Sequence, residues 1–381
     1  MSRIYDEEHE LFRGAVRDFI AAEMVPHIGE WEEAGIMDRE VYAKAGAHGF
    51  IGFNYPESHG GGGSADFRFN VIVNEELQYA GTGGAGNGIG LTNDILAPYF
   101  LDLCTDEQRD RWFPGLAGGR LIPAVAMTEP GTGSDLASIA TRAVRDGDEY
   151  VVNGAKTFIT NGINSDLIVA VVRTDADAGR HGLSLLVIER GMAGFERGRN
   201  LDKIGQKSAD TAELFFTDVR VPVANLLGEE GKAMAYLTGN LPQERLSLAV
   251  GAVAVAEASL QWTVDYVKER SAFGARVADF QNTKFVLAEV ETELAVARAY
   301  LADCIERHNA GGFSAADAAK AKLWCSELQG RATDACLQLF GGYGFMTEYP
   351  IALAYADARV SRIYGGTNEI MKTIIAKDLL T

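Results

Sequence analysis

The chain has few of the residues from which metal centres and disulfide scaffolds are built. Its four cysteines, Cys104, Cys304, Cys325 and Cys336, form no C-x-x-C pair and no metal-ligand spacing. They fall in apolar helical pattern, which predicts buried, reduced thiols. The six histidines, His9, His27, His48, His59, His181 and His308, make no H-E-x-x-H or comparable cluster, so no metal is expected. No apolar run reads as long enough to span a bilayer. The opening Met1 to Asp6 does not read as a signal peptide, and the acidic residues after it do not suit a transit peptide, so a cytoplasmic protein is expected. Positive charge is also short: 35 Lys and Arg against 53 Asp and Glu leave a formal charge of −18 and a pI near 4.8. With no basic patch, a nucleic-acid partner is not expected.

What is present is an ordinary globular composition, 47% hydrophobic and 23% charged, over 381 residues. That length exceeds what one core usually supports, so several domains are expected. Up to about residue 120 the pattern is helical, with Phe12, Ala15, Val16 and Phe19 on one face. Gly60 to Gly63 read as a loop, Ser64 to Asp66 as a helix start, and Val71 to Leu77 as the start of another helix. The stretch Gly81 to Gly90 is built from small residues, which either let helices approach closely or leave room for a ligand. Between residues 121 and 228 the texture is β: Tyr150 to Val152, Leu167 to Val172, Leu183 to Ile188 and Leu214 to Phe216. Asn153-Gly154, Asn161-Gly162 and the loop 175–182 read as turns. From 229 to 381 the chain is helical again. Leu287, Val290, Leu294, Ala297, Leu301 and Cys304 step by three and four like a bundle seam, and Ser314 to Asp317 has the form of a capping motif. The order is α, then β, then α, without βαβ alternation or a G-x-G-x-x-G opening a βαβ unit, so the fold class is α+β and a Rossmann sheet is not expected.

Four stretches carry candidate chemistry. Met127 to Asp135 (M-T-E-P-G-T-G-S-D) offers backbone N–H and hydroxyl donors to an anion or a heteroaromatic edge, or else forms a tight capped turn. Leu241 to Leu246 (L-P-Q-E-R-L) places Pro and Glu as in a first helical turn, where Glu244 would complement the helix dipole. Glu269 to Gly274 breaks a helix with Arg270 beside a glycine. Arg362 to Glu369 (R-I-Y-G-G-T-N-E) interrupts helical pattern on both sides and reads, by itself, as a helix end, a loop and a new N-cap.

Together with K-T-F-I-T-N-G (Lys156 to Gly162) and Q-L-F-G-G-Y-G-F (Gln338 to Phe345), these motifs resemble the acyl-CoA dehydrogenases, in order and over essentially the whole chain. The resemblance implies an N-terminal all-α domain over 1–120, a middle β domain over 121–228 and a C-terminal four-helix bundle over 229–381. It also implies a homotetramer with one FAD per subunit that passes electrons to an electron-transfer flavoprotein. By the same resemblance Val125, Met127, Thr128, Gly133 and Ser134 face the flavin or the substrate, and Phe158 and Thr160 supply a second wall. Phe158 departs from the tryptophan often found there. Arg270, Phe273, Gln281, Gln338, Gly341 and Gly342 resemble positions that hold the FAD pyrophosphate and adenosine, partly across a subunit interface, and Thr367 and Glu369 complete that site. An Arg suits a diphosphate through its charge and forked donors. Ser134, Leu241, Arg245, Tyr364 and Gly365 are implied for the substrate.

One position departs from the family pattern. Most members carry a glutamate after the Ile-Tyr pair as the base that removes the α-proton of the thioester, whereas this chain has Gly365. A smaller branch, resembling the long-chain and isovaleryl-CoA enzymes, places that glutamate in the E-R-L helix, where Glu244 stands. L-P-Q-E-R-L together with I-Y-G-G-T-N-E-I-M resembles the long-chain branch. Glu244 is therefore expected as the general base, and Gly365 as keeping only its backbone N–H for the developing enolate oxygen. Gly86, Gly88 and Gly90 align with the floor of the acyl pocket, where medium-chain relatives carry larger polar residues, and point to a deep cavity. A branched-chain dehydrogenase shares the E-R-L glutamate, and a silent acyl-CoA-binding subunit would also explain Gly365.

Overall fold

The computed structural model describes residues 4–381. Asp6 caps α1 (Glu7–Glu23) by accepting from the N–H groups of Glu8 and His9. Val16, Phe19 and Ile20 of this helix are buried, whereas Ala15, expected on the same face, is exposed. α2 (Ile28–Ala34), α3 (Arg39–Ala47) and α4 (Phe67–Tyr79) follow. Asp66 caps α4, which runs through Val71 without a break, so the two expected helix starts belong to one helix.

α5 (Gly83–Gly90) contains five glycines in eight residues, a composition that opposes helix by propensity. Packing holds it. A Cβ at Gly86 would lie 2.6 Å from Leu77 Cδ2, and one at Gly88 would lie 1.9 Å from Tyr42 Oη. A π-helical turn, Leu91–Leu96, then leads into α6 (Ala97–Leu103) and α7 (Asp106–Ala117).

The middle of the chain forms an eight-stranded sheet from β1 (Pro123–Ala126), β2 (Arg142–Asp146), β3 (Glu149–Thr160), β4 (Leu167–Arg173), β5 (Leu183–Glu189), β6 (Phe195–Asn200), β7 (Thr211–Pro222) and β8 (Leu226–Leu227). The order is β6-β7-β3-β2-β4-β5-β8, with β1 parallel to β4. β4 and β5 read as unbroken apolar runs because both of their faces are covered. Val169 and Val171 point to a core shared with Phe100, Trp112 and Leu116 of the helical domain, while Ile168, Ala170 and Val172 point to a core within the sheet. Asn153-Gly154 is not a turn. It lies inside β3 at a register shift against β7, where a Cβ on Gly154 would stand 2.4 Å from Thr141 Oγ1. The glycine admits a bulge and a close neighbour.

α8 (Ala233–Glu269) joins the sheet to the bundle. It starts well before the expected start at Leu241-Pro242, because Ala233 and Leu237 bury against the core beneath β4 and β5. Pro242 therefore sits inside the helix, where it removes one ladder hydrogen bond. By length and composition α8 also passes as a membrane span, which corrects the expectation that no run would; most of that stretch is buried in the molecule. The hairpin β9 (Ser271–Ala272) and β10 (Ala275–Arg276) leads to α9 (Gln281–Asn309), α10 (Ala315–Phe340), α11 (Pro350–Ala358) and α12 (Asn368–Leu380). Ser314 and Asp317 cap α10 reciprocally. The seam on α9 is buried from Val290 to Cys304, against Val253 and Ala256 of α8 and Cys325, Leu328 and Ala332 of α10. All four cysteines are buried and unpaired.

Candidate active site

Three segments distant in sequence meet around α8. Glu244 lies on this helix, 5% exposed, and its Oε1 accepts the phenol proton of Tyr99 at 2.9 Å. Burial pushes its carboxyl up to about 7, against the opposing pull of the Tyr99 hydrogen bond and the Arg245 charge. Asp94 in the π-helical turn pins α8 on both sides of Glu244. Its backbone oxygen accepts from Gln243 Nε2 at 2.7 Å, and its carboxylate accepts from Ser247 Oγ and, at 2.7 Å, from Asn70 Nδ2. π-turns of this kind recur at functional sites.

The next residue reaches the C-terminal loop. Arg245 Nε donates to the Gly365 carbonyl at 3.1 Å, so this buried guanidinium braces the loop. Gly365 (φ +64°) and Gly366 (φ +92°) are both in the left-handed region that favours glycine. Lys322 of α10 donates to the Gly366 carbonyl and to Asn368 Oδ1, each at 2.9 Å, and burial lowers its ammonium to about 8. Thr367 caps α12 by accepting from Ile370 N–H, with Glu369 exposed in the first turn. None of the hydrogen bonds among the described residues uses the Gly365 N–H.

A cavity opens beside this junction, between α4, α5, α8 and α11. Ser247, Leu248, Gly251 and Val255 of α8, Gly86 and Gly90 of α5, and Tyr364 contribute to its wall. Of the three glycines expected at the floor of an acyl pocket, Gly86 and Gly90 line this cavity, whereas Gly88 does not; its missing side chain admits the Tyr42 phenol. Glu244 stands one turn before Leu248, with Leu241 half-buried three residues earlier.

On the sheet, the Met127 loop and the end of β3 abut. Thr157 N–H donates to the Thr128 carbonyl at 2.9 Å, and Lys156 Nζ donates to the Met127 carbonyl at 3.0 Å. Lys156 is fully buried and pairs with Glu129 at 2.8 Å, and Glu129 also accepts from the N–H groups of Ala140 and Thr141. These two motif residues are a brace. What the brace presents is a surface with Val125, Met127, Thr128 and Thr160 half-buried, and Gly133, Ser134 and Phe158 exposed. Phe158 is 67% exposed at φ +60°, an uncommon conformation for an aromatic residue.

A second cavity, at the far end of α8 and α10, gathers Arg270, Gln338, Gly341 and Gly342. The Arg270 guanidinium lies 5.5 Å over the Tyr343 ring, and among the described residues no carboxylate pairs with it. Phe273 and Gln281 are not in this cavity; both are exposed, Phe273 completely so, at the hairpin and the start of α9. An exposed aromatic wall and an unpaired cation over an open cavity fit a flavin dinucleotide, whose ring and diphosphate need such surfaces. Tyr99, Asp94, Lys322 and Leu248 were not legible as site residues. Each sits in unremarkable helical pattern and acquires its role from a partner far away in sequence.

Residues 6–120, 124–219 and 231–380 match the N-terminal, middle and C-terminal domains of the acyl-CoA dehydrogenases. The chain is 48% identical over 380 residues to the mitochondrial long-chain specific acyl-CoA dehydrogenase of Sus scrofa, covering 99% of this chain and 88% of that one. It superposes on the crystal structure of an acyl-CoA dehydrogenase from Geobacillus kaustophilus with a TM-score of 0.96 at 50% identity, over 99% of each chain. A glutaryl-CoA dehydrogenase from Mycobacterium smegmatis, solved in complex with FADH2, superposes with a TM-score of 0.92 at 26% identity, over 100% of this chain and 96% of that one. The α+β architecture, the flavin surfaces and these likenesses agree: the chain belongs to the acyl-CoA dehydrogenase family of FAD-dependent oxidoreductases.

Proposed function

We propose that this chain dehydrogenates long-chain acyl-CoA thioesters to trans-2-enoyl-CoA, with Glu244 as the base that takes the α-proton. The observation that carries the reading is the buried Glu244 carboxyl, raised to about 7 and tethered through its neighbour Arg245 to the Gly365 loop. A carboxylate poised near neutrality is a competent base, and Tyr99 bonds one oxygen while Oε2 is left for the substrate. The unused Gly365 N–H supplies a donor for the thioester oxygen as enolate charge develops there. Bound FAD supplies the acceptor for the hydride that leaves Cβ. Val125, Met127, Thr128, Gly133, Ser134, Phe158 and Thr160 hold the ring side of that cofactor. Arg270, Gln338, Gly341 and Gly342, with Thr367 and Glu369 near the loop, hold the remainder. Phe273 and Gln281, exposed in one chain, suit a neighbouring subunit's cofactor in a homotetramer. Reoxidation by an electron-transfer flavoprotein completes the cycle.

The preference for long chains rests on reach. The cavity wall takes residues of α8 from Leu248 to Trp262, about 21 Å at the helical rise, around an open space of about 90 Å³ that a long chain would have to widen. Titration of the FAD-loaded protein with butyryl-, isovaleryl-, octanoyl- and hexadecanoyl-CoA, read by flavin bleaching, is expected to favour hexadecanoyl-CoA. An isovaleryl optimum would transfer the assignment to the branched-chain enzymes. Glu244→Gln should retain FAD and lose bleaching by at least about 1,000-fold, as removal of an essential proton acceptor does. Normal bleaching in that variant would sink the base assignment, and a wild-type protein that bleaches with no acyl-CoA would be the silent binder.

A further inference from the structure

α8 is weakest immediately before the residue read as the base. Gly239 and Pro242, the two poorest helix-forming types, both lie inside this helix. Pro242 has no N–H to give, so the Thr238 carbonyl four residues earlier loses its ladder donor. Neighbours do not demand the glycine, because nothing lies within 4 Å of the place a Cβ would take at Gly239. A helix kept only for packing would be mended at either position, and local rules broken in this way mark functional segments.

What holds the segment comes from outside the helix, at Gln243. The Asp94 carbonyl can only accept, so the Gln243 amide turns its Nε2 to that oxygen, at 2.7 Å. Its Oε1 is thereby left to His308 Nε2 at 3.1 Å, which makes the imidazole the donor. His308 lies half-buried in the last turn of α9, its ring T-shaped against Phe67 at 4.8 Å and Phe313 at 6.1 Å. Burial holds the imidazole below its ordinary value, so the neutral Nε2–H form serves. Asn309, the next residue, ties this end of α9 to α4, accepting from Phe67 N–H at 3.0 Å and donating to Asp66 at 2.8 Å. One amide thus joins α8 to the π-helical turn and, through α9, to α4, at the residue before Glu244. Its two bonds use opposite ends of a planar group, so they fix the height of α8 as well as its rotation. Ser247, one turn later, donates to the Asp94 carboxylate and grips α8 a second time.

We propose, resting on the reading of Glu244 as the base, that Gln243 is a positioning residue for it. The Gln243 amide, clamped between Asp94 and His308, sets the placement of α8 that carries the Glu244 carboxylate to the α-carbon of the acyl chain. In this role Gln243 takes no part in the proton transfer itself. A displaced carboxylate loses rate without losing basicity, because proton transfer depends on reach before it depends on pKa.

The test separates proton abstraction from the rest of turnover. On holoenzyme whose flavin has been reduced beforehand, hydride has no acceptor. Glu244 then takes an α-proton of hexadecanoyl-CoA, trades it with D2O and returns a deuteron, so the exchange rate reads the base alone. Gln243→Met, similar in bulk and unable to bond both partners, is expected to slow this exchange about 10-fold or more. In turnover kcat should fall in step, with KM within about twofold of wild type. The acidic limb of the pH profile should stay in place, because the Tyr99 bond to Glu244 is kept. His308→Leu should slow exchange likewise, whereas His308→Gln, which again offers an N–H to Oε1, should restore most of it. All rates are taken per FAD-loaded subunit, and if Gln243→Met yields no holoenzyme the His308 pair decides alone. Undiminished exchange in Gln243→Met, or equal exchange in His308→Leu and His308→Gln, would overturn the proposal. A wild type that exchanges no α-protons, or exchange that survives Glu244→Gln, would overturn the base assignment and the proposal with it.

Discussion

Leu248 occupies the space that a side chain at position 365 would need: a Cβ on Gly365 would fall 2.4 Å from Leu248 Cδ1. A side chain at position 365 would therefore have to displace the end of Leu248. With Glu244 one turn before Leu248 on α8, the leucine that closes position 365 belongs to the same helix that supplies the carboxylate. The left-handed φ of Gly365 adds a second barrier to any side chain there.

Gly365→Ala is therefore expected to lower the thermal midpoint by several degrees, for a combined cost of about 2–3 kcal/mol from the contact and the positive φ. Leu248→Ala in the same chain should recover the contact part and leave the φ part. A double-mutant cycle followed by thermal melting measures the coupling. Additive losses would show that the leucine yields freely.

The Tyr99 hydroxyl donates to the carboxylate form of Glu244, so it holds that carboxyl below the value burial alone would set. Tyr99→Phe removes this and should raise the carboxyl further. A base works only when deprotonated, so the acidic limb of the kcat/KM profile should move to higher pH, by about one unit for a charge-assisted hydrogen bond. Activity at pH 9 should be nearly unaffected. An unshifted limb with a uniformly lower rate would indicate a packing role for Tyr99 alone.

How much of this was legible in the sequence differs by residue. The strands β4 and β5 and the seam of α9 announced themselves because each is buried along its whole length or on one periodic face. Glu244 was legible only through the motif that carries it. By spacing it read as a first-turn acid, and the helix in fact begins at Ala233, since apolar contacts with the sheet outweigh the proline at 242. Tyr99 and Lys322 lie 145 and 44 residues from the groups they bond, and nothing in a single helical pattern marks which face will find a carboxylate or a carbonyl. Asn153-Gly154 misled in the opposite direction, because the same pair serves turns and bulges alike.

Lys322 is predicted to matter through the loop and not through charge on the substrate. Its ammonium is buried, and two of its three donors are spent on Gly366 and Asn368. Lys322→Met leaves both acceptors unpaired, a cost of about 1–3 kcal/mol for each such group. The loop that presents the Gly365 N–H should loosen, so kcat should fall by about 10-fold or more while FAD content stays near wild type. Absorbance at the flavin band and steady-state kinetics separate the two. Loss of flavin with normal turnover in the remaining holoenzyme would refute the assignment.

The raised carboxyl of Glu244 also has a consequence for stability, and its sign is fixed by linkage. The folded value, about 7, exceeds the ordinary glutamate value of about 4.5. Between those two values the unfolded chain has released the proton and the folded chain still holds it, so stability falls as pH rises through this window. Above pH 7 the folded protein carries a buried charge that the unfolded one carries in water. Glu244→Gln keeps the shape and the acceptor for Tyr99 and removes the ionisation. The variant should therefore melt higher than wild type at pH 8, by a few degrees for a difference of about 2–3 kcal/mol, and the gap should close at pH 4.5. A higher melting point in the catalytically dead variant is the signature of a group placed for chemistry at the expense of the fold. Equal melting curves at pH 8 would mean that Glu244 is solvated in the folded protein, and its role as a poised base would fall with that result.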